Sequence, residues 1–380
     1  MIFERIISKY LLVTGKQDLN TFVYAQDSRR MLPSLLLLDK EMDSNGLGES
    51  LTIYIIISVS CLILSWITKE YSWVDRVWSI TPIIYSWVFT LSTLLMDNND
   101  REGEQDDDND VFVLKESRNC IISLFITSWG LRLSYNFWRK GGYNWKNPEA
   151  EDYRWKVLKE QIIPDDGVSW QLFNIIFICF YQNFLLWIIV LPQWYRTTSK
   201  AKNDDTILPR DYISFILFIG AFLLETVADE QQWTFQKDKK EYKKIVKSKG
   251  NDDASISSRM FNSSHLTDLK NGFLTHGLFS YSRHPNFLGE QLIWLSVWSF
   301  SIEYFSFYPF FNINIRNTLG IFLLTLLFQG STRFTEKISV DKYGSGYEAY
   351  QNRVGMLLPK FGCMLPTKLV KSLEETSKTK

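Results

Sequence analysis

The 380 residues carry 42 Lys+Arg against 42 Asp+Glu, so no net charge draws the chain to nucleic acid or to an acidic ligand. Aromatic residues make up 16% of it, with 14 Trp, which suits the interfacial aromatics of a membrane protein better than an ordinary cytosolic domain. Cys61, Cys120, Cys179 and Cys363 form no CxxC pair, and His265, His276 and His284 are scattered, so neither a disulfide framework nor a histidine-ligated metal cluster is indicated.

Residues 1–50 do not read as a signal peptide, because Glu4 and Arg5 interrupt the early apolar region. Apolar clusters at Ile6-Ile7 and Leu35–Leu38 suggest an interfacial helix at most. From there the chain predicts an all-α, polytopic membrane helix bundle. Residues 51–67 are uncharged and give a first span, 78–96 a second, and 119–138 a third that contains Arg132. The uncharged stretch 171–195 is the clearest span, and 212–228 is a fifth with Glu225 near its end. Residues 286–311 and 317–332 supply a sixth and a seventh.

Charge between the spans gives an orientation. Seven lysines lie between 237 and 249, the loop 139–170 holds Arg139, Lys140, Lys146, Arg154, Lys156 and Lys159, and the tail after 333 is basic. With seven spans these segments share one side, which the positive-inside rule makes cytosolic. The Asp/Asn-rich loop 97–110 falls on the other side and reads as low-complexity and disordered. The sequon Asn262-Ser263-Ser264 falls on the cytosolic side, where no glycan is expected. The chain divides into an N-terminal extension (1–50), the transmembrane unit (51–362) and a polar tail (363–380).

Polar groups recur at helical spacing around one end of these spans. Pro285 in the run Tyr281–Glu290 suits a first helical turn, and Asn286 and Glu290 then share a face, with Trp294 one turn further on. The fifth span ends in Glu225, Asp229, Gln232 and Gln236, one polar stripe. A helix leaving the membrane would explain that stripe, but so would a polar cavity shared with Asn286 and Glu290. Arg132 and Arg139 share a face of the third span and are phosphate-pairing candidates, with interfacial snorkelling the alternative for Arg139 and Lys140. Asp75 and Arg76 could form an interfacial ion pair. No Gly-x-Gly-x-x-Gly follows a strand, and no Walker loop, Gly-x-Ser-x-Gly or His-Glu-x-x-His occurs, so any nucleotide cofactor is held inside the helix bundle.

Taken together, Tyr281–Glu290, the Glu225/Asp229 stripe, the Asp75-Arg76-Val77-Trp78 opening and Trp129-Gly130-Leu131-Arg132-Leu133 resemble the DUF1295 group of the steroid 5-alpha-reductase C-terminal superfamily. The resemblance covers roughly residues 60–362. It implies a multi-spanning membrane reductase that uses NADPH on a C=C bond of a steroid-like or other apolar lipid, in the endoplasmic reticulum membrane with a cytosolic C-terminus. It places Asn286 and Glu290 at the nicotinamide end, with Asp229 and Glu225 beside them. Arg132, Arg139, Arg283 and His284 complete the cofactor set, and Tyr135 and Glu290 are the expected catalytic residues, with Tyr135 as donor to a developing enolate oxygen. The chain departs from the steroid reductases at Gln236, which replaces an arginine, and after the last span, where Thr332, Arg333 and Glu336 stand. The Arg283-His284-Pro285 core and the Glu336…Tyr347…Tyr350…Arg353 tail also resemble isoprenylcysteine and phospholipid methyltransferases. An S-adenosylmethionine-dependent methyltransferase is therefore the alternative enzyme class.

Overall fold

The computed structural model describes residues 46–101, 118–146, 151–161, 163, 167–198, 209–249, 262–301 and 315–360. The expectations for the N-terminal extension up to residue 45, for loop residues 102–110, for Cys363 and for the tail lie outside these residues, whereas 97–101, expected as disordered loop, continue the helix that begins at Thr81. Among the described residues the elements are helical, with one isolated parallel bridge between Ser282 and Gly355. In chain order they are α1 (Leu47–Thr68), α2 (Trp73–Val77), α3 (Thr81–Arg101), α4 (Arg118–Arg139) and α5 (Tyr153–Gln161). There follow α6 (Val168–Phe173), a π-helical stretch (Asn174–Tyr181), α7 (Gln182–Ile188), α8 (Leu191–Thr198) and α9 (Pro209–Lys249). The chain continues with α10 (Ser263–Asn271), a 3-10 turn (Gly277–Ser280), α11 (Pro285–Ser301), α12 (Ile315–Tyr343) and α13 (Ser345–Arg353).

Three stretches, Leu47–Thr68, Val168–Arg196 and Asp211–Lys247, are long and apolar enough to cross a membrane. The other predicted spans are helical but more polar or shorter: α4 carries Arg118, Arg132 and Arg139, and α11 has 17 residues. The predicted second span begins later than expected, at Thr81, because α2 is a separate turn. The sixth is helical only as far as Ser301, and 302–314 lie outside the described residues. The stretch 168–198 is not one α-helix. It widens into the π-helical turn, where Asn183 donates to the Cys179 carbonyl at 2.7 Å. It then breaks at Ile189-Val190, ahead of Pro192, whose missing N–H suits the first turn of α8. In the opposite sense, α9 runs on unbroken for 41 residues, about 60 Å at 1.5 Å per residue, so its lysine-rich part is helix and not loop.

Polarity is arranged inside out. On α1, Ile55, Ile56, Val59, Ile63 and Ile67 are exposed, whereas Ser50, Ser58 and Ser65 are buried. Ser214, Ser296, Ser301 and Thr332 are buried in the same way on later helices. Their hydroxyls turn back on their own helices, as Ser58 does to the Tyr54 carbonyl at 2.8 Å, or take a neighbour's donor, as Ser50 does from Trp187 Nε1 at 3.0 Å. Small residues that satisfy their own hydroxyls let helices approach closely while the apolar side chains point outward. Between the helices an aromatic and aliphatic core forms around Tyr85, Phe89, Phe125, Trp129, Leu185, Phe218 and Trp294. Within it Phe125 and Phe218 stack with ring centroids 4.1 Å apart.

One of these close approaches joins α9 to α11. A Cβ at Gly289 would lie 2.7 Å from Glu225 Cβ and 3.0 Å from Glu225 Cα, so only glycine admits this spacing. A Gly289→Ala variant is therefore expected to lose about 1–3 kcal/mol of stability through overpacking and to melt lower in detergent. Gly220→Ala, with nothing within 4 Å of its new methyl, should melt at or above wild type. A Gly289→Ala protein as heat-stable as wild type would remove glycine's role in this approach.

Candidate active site

Glu225 belongs to a polar cluster built by three helices. The chain turns into α11 through two backbone hydrogen bonds to the C-terminal strap, Arg283 N–H to Gly355 O at 2.9 Å and His284 N–H to Met356 O at 3.1 Å. Pro285 opens the helix, so Asn286, Glu290 and Trp294 stack one turn apart on one face. α4 presents Trp129, Arg132 and Asn136 at the same helical spacing, and α9 presents Glu225 and Asp229.

These faces meet around Asp229. Its Oδ2 accepts from Arg132 Nη1 at 2.7 Å and from Asn136 Nδ2 at 2.8 Å, and its Oδ1 from Asn286 Nδ2 at 3.4 Å. Glu290 sits between two tryptophans: Trp129 Nε1 donates to Oε2 at 2.8 Å and Trp294 Nε1 to Oε1 at 3.0 Å. The two indoles pack edge to face with centroids 4.9 Å apart, which fixes both donors. Arg132 Nη2 lies 2.5 Å from Glu225 Oε1 and 3.9 Å from Glu290 Oε2 as charge contacts. Glu225 Oε2 is buried without a donor from a basic or amide group, and Arg132 Nε is buried without an acceptor. Three carboxyl groups thus converge on one guanidinium, and the cluster retains unused acceptor and donor capacity.

Asn286, Glu290, Asp229, Glu225 and Arg132 are therefore brought together. Asn136 and the two indole donors belong with them, and the stripe Trp129-x-x-Arg132-x-x-x-Asn136 is the helical spacing that could have revealed them. The rest of the expected set lies elsewhere. Tyr135 is 57% exposed on the outer side of α4, beside Trp138 and the Arg139 guanidinium, because it stands about 100° round the helix from Asn136 and about 60° from Arg132 on the side away from Asn136. Arg139 pairs with Glu230 at 2.5 Å and lies over the Trp233 ring. Gln232 is half-buried and Gln236 is exposed, so the polar stripe of α9 enters the cluster only at its first two residues. Asp75 and Arg76 do not pair with each other. Arg76 binds Glu70 and the Gly142 carbonyl, and Asp75 accepts from Trp155 Nε1 at 3.2 Å. Burial pushes the Asp75 carboxyl up to about 6, with Asp152 adding to the rise.

Arg283 and His284 form a clamp. Arg283 Nε and Nη2 bind the two oxygens of Glu336 at 2.6 and 2.9 Å, while Nη1 reaches the Gln351 carbonyl at 3.0 Å and the Val354 carbonyl. His284 Nε2 meets Glu336 Oε1 at 3.0 Å, and Gln351 Nε2 donates to Glu336 Oε2 at 3.0 Å. This arrangement locks the C-terminal strap to the start of α11. The donors of Arg283 are spent on the protein itself.

The family model described as "Protein of unknown function (DUF1295)" matches residues 61–354. An uncharacterized protein of Schizosaccharomyces pombe is 36% identical over 295 residues, covering 77% of this chain and 74% of that protein. No solved structure matches.

Burial of Glu336 works to raise its carboxyl, but hydrogen bonds from His284 and Arg283 outweigh it and hold the group down at about 2. A depressed carboxylate stabilises the folded state fully above its unfolded value, about 4.3, and loses that contribution as pH falls towards 2. The melting temperature of wild type should therefore exceed that of Glu336→Gln by a constant gap near neutrality, and the gap should close between about pH 4.3 and pH 2. A gap that does not narrow with acid would show that the Glu336 charge does not hold the strap.

Proposed function

This chain belongs to the DUF1295 family, of the steroid 5-alpha-reductase-like group, and from that membership and the α4–α9–α11 cluster we propose that it is a membrane reductase saturating a C=C bond of an apolar, steroid-like lipid with NADPH. One observation carries the reading: Asn286, Glu290, Asp229, Glu225 and Arg132 converge from three helices into one buried polar site. Buried charge in an otherwise apolar bundle is costly, and it is kept where it binds something.

The residues suit the nicotinamide end of the cofactor. A carboxamide offers N–H donors and a carbonyl acceptor. Glu225 Oε2 takes no donor from a basic or amide group, and the Nε–H of Arg132 lacks an acceptor. Asn286 adds a side-chain amide at the same place. When bound, NADPH supplies the hydride. The protein's part is to orient the ring against the substrate, to exclude water with the Trp129/Trp294 pair, and to hold charge in place. With Arg139 and Arg283 committed to Glu230 and Glu336, the exposed Lys140, Lys237 and Arg333 at the same end are the groups that would meet the phosphates.

The reading takes α3, α4, α11 and α12 as spans beside the three apolar stretches, seven in all. It places the cluster at the cytosolic end in the endoplasmic reticulum membrane. Support comes from the lysine-rich part of α9 and from the exposed Trp66, Trp138, Trp145 and Tyr281, which suit an interfacial belt at that end. The exposed isoleucines and the buried serines suit lipid around the bundle.

In detergent, Asn286→Ala and Glu290→Gln are expected to weaken NADPH binding by roughly 10- to 150-fold, the scale of a lost hydrogen bond to a charged group, without loss of the folding transition. Incubation with a lipid extract and either labelled NADPH or labelled S-adenosylmethionine decides the reaction class. Label reaching lipid from the methyl donor alone, or wild-type NADPH binding in both variants, would sink the reductase reading.

A further inference from the structure

The cluster is unbalanced in charge. Among the described residues the ion pairs made by Glu225, Asp229 and Glu290 all run to Arg132. The remaining partners of Asp229, Asn136 and Asn286, are neutral amides, and those of Glu290 are neutral indoles. The next basic group along α4, Arg139, is held away by Glu230. Glu225 makes its one charge contact through Oε1 and otherwise faces the carboxyl of Glu290, with no basic or amide donor on Oε2. Any carboxylate ionised beyond the one that Arg132 compensates is a buried charge without a partner, and such a charge is costly. A neutral ligand offsets little of that cost. A ligand with a delocalised positive charge supplies the missing countercharge.

We propose that the cluster selects a delocalised organic cation, and, resting on the reductase reading above, that it binds the oxidised nicotinamide ring of NADP+ more tightly than the uncharged ring of NADPH. The same preference acts in the reaction. NADPH, when bound, would supply a hydride to one alkene carbon while solvent supplies the proton to its neighbour, and Glu225 and Glu290 would be the groups that stabilise the positive charge of the oxidised ring. Charge that develops on the way to products and meets fixed countercharge lowers the barrier to the forward direction. The corollary is slow release of the oxidised cofactor.

Cation preference is read from two ligand pairs that each differ by one positive charge, NADP+ against NADPH and S-adenosylmethionine against S-adenosylhomocysteine. Dissociation constants of the detergent-purified full chain are measured by calorimetry at matched ionic strength. The expected result is NADP+ binding tighter than NADPH by about tenfold or more, the scale of one contact to a buried charge. Glu225→Gln should bring the ratio near one, whereas Glu241→Gln, on the exposed extension of α9, should leave it unchanged. Asp229→Asn takes the place of Glu225→Gln should that protein not fold. Equal affinities for the two redox states in wild type, or a ratio untouched by the cluster variants, would overturn the inference. Binding confined to the S-adenosyl pair, with the sulfonium preferred and the preference lost in Glu225→Gln, would uphold cation selection and overturn the reductase reading. Binding of none of the four would overturn both.

Discussion

Arg132 is the group on which the arrangement of the other helices depends. It stands on α4 and reaches both acids of α9 and, at longer range, Glu290 of α11, so three helices share one cation. Its side chain is 7% exposed, too little for water to replace any of these contacts. Removing one partner of a buried pair typically costs about 3–5 kcal/mol, because the remaining charge is stranded. That cost falls on every wrong register of α4 against α9, since a slip of one residue would carry Arg132 roughly 100° away from its acids. The cluster thus specifies the packing as well as any ligand. Apolar contacts alone would specify it poorly, because in lipid the exterior of the bundle is as apolar as its seams.

Specificity of this kind needs close backbones, and the small residues provide them. Gly289 lets α11 lie against the Glu225 backbone, which brings Glu290, the next residue, beside Arg132. Gly130 acts in the same way one residue from Trp129, where a Cβ would come 2.4 Å from the Ser79 carbonyl. Each of these glycines therefore adjoins a residue of the cluster, and packing distance and site geometry are set by the same pair of positions.

Helix existence was legible in the sequence wherever long uncharged runs stood, as at 51–67 and 212–228, because the length of a helix crossing a bilayer is written in composition. The breaks were less so. Nothing in the uncharged run 171–195 marks a π-helical turn, which opens at Asn174, bonded across the bundle to Ser65 Oγ at 2.9 Å, and closes with Asn183 bonded back to the Cys179 carbonyl. The cluster itself was half legible. Spacing of four joins Asn286 to Glu290 and Glu225 to Asp229, so each helix face could be drawn. Which faces meet is a tertiary fact, and it decided against Tyr135 and in favour of Asn136, one residue later. Arg283 and His284 read as cofactor-binding because the resemblance sets them in the motif that opens α11. Their partner, Glu336, is 53 residues away from Arg283 in sequence, and no local pattern announces it.

The Glu336 clamp and the Arg132 cluster divide two tasks along α11. The clamp fixes where the helix begins, tying residues 283–284 to the strap at 351–356, and the cluster fixes how it is turned, through Asn286 and Glu290. Asn286 lies two residues from His284 and Glu290 six, about 3 and 9 Å of helix rise, so the clamp stands within two turns of the site it orients. The clamp involves Glu336 of α12, Gln351 of α13 and the segment that follows it, and among the described residues none of these makes a hydrogen bond or ion pair to the cluster. The basic pair in front of Pro285 therefore serves the site by holding the helix that carries it. A motif that looks like part of a binding surface can be required for binding while its charges are spent entirely on the fold.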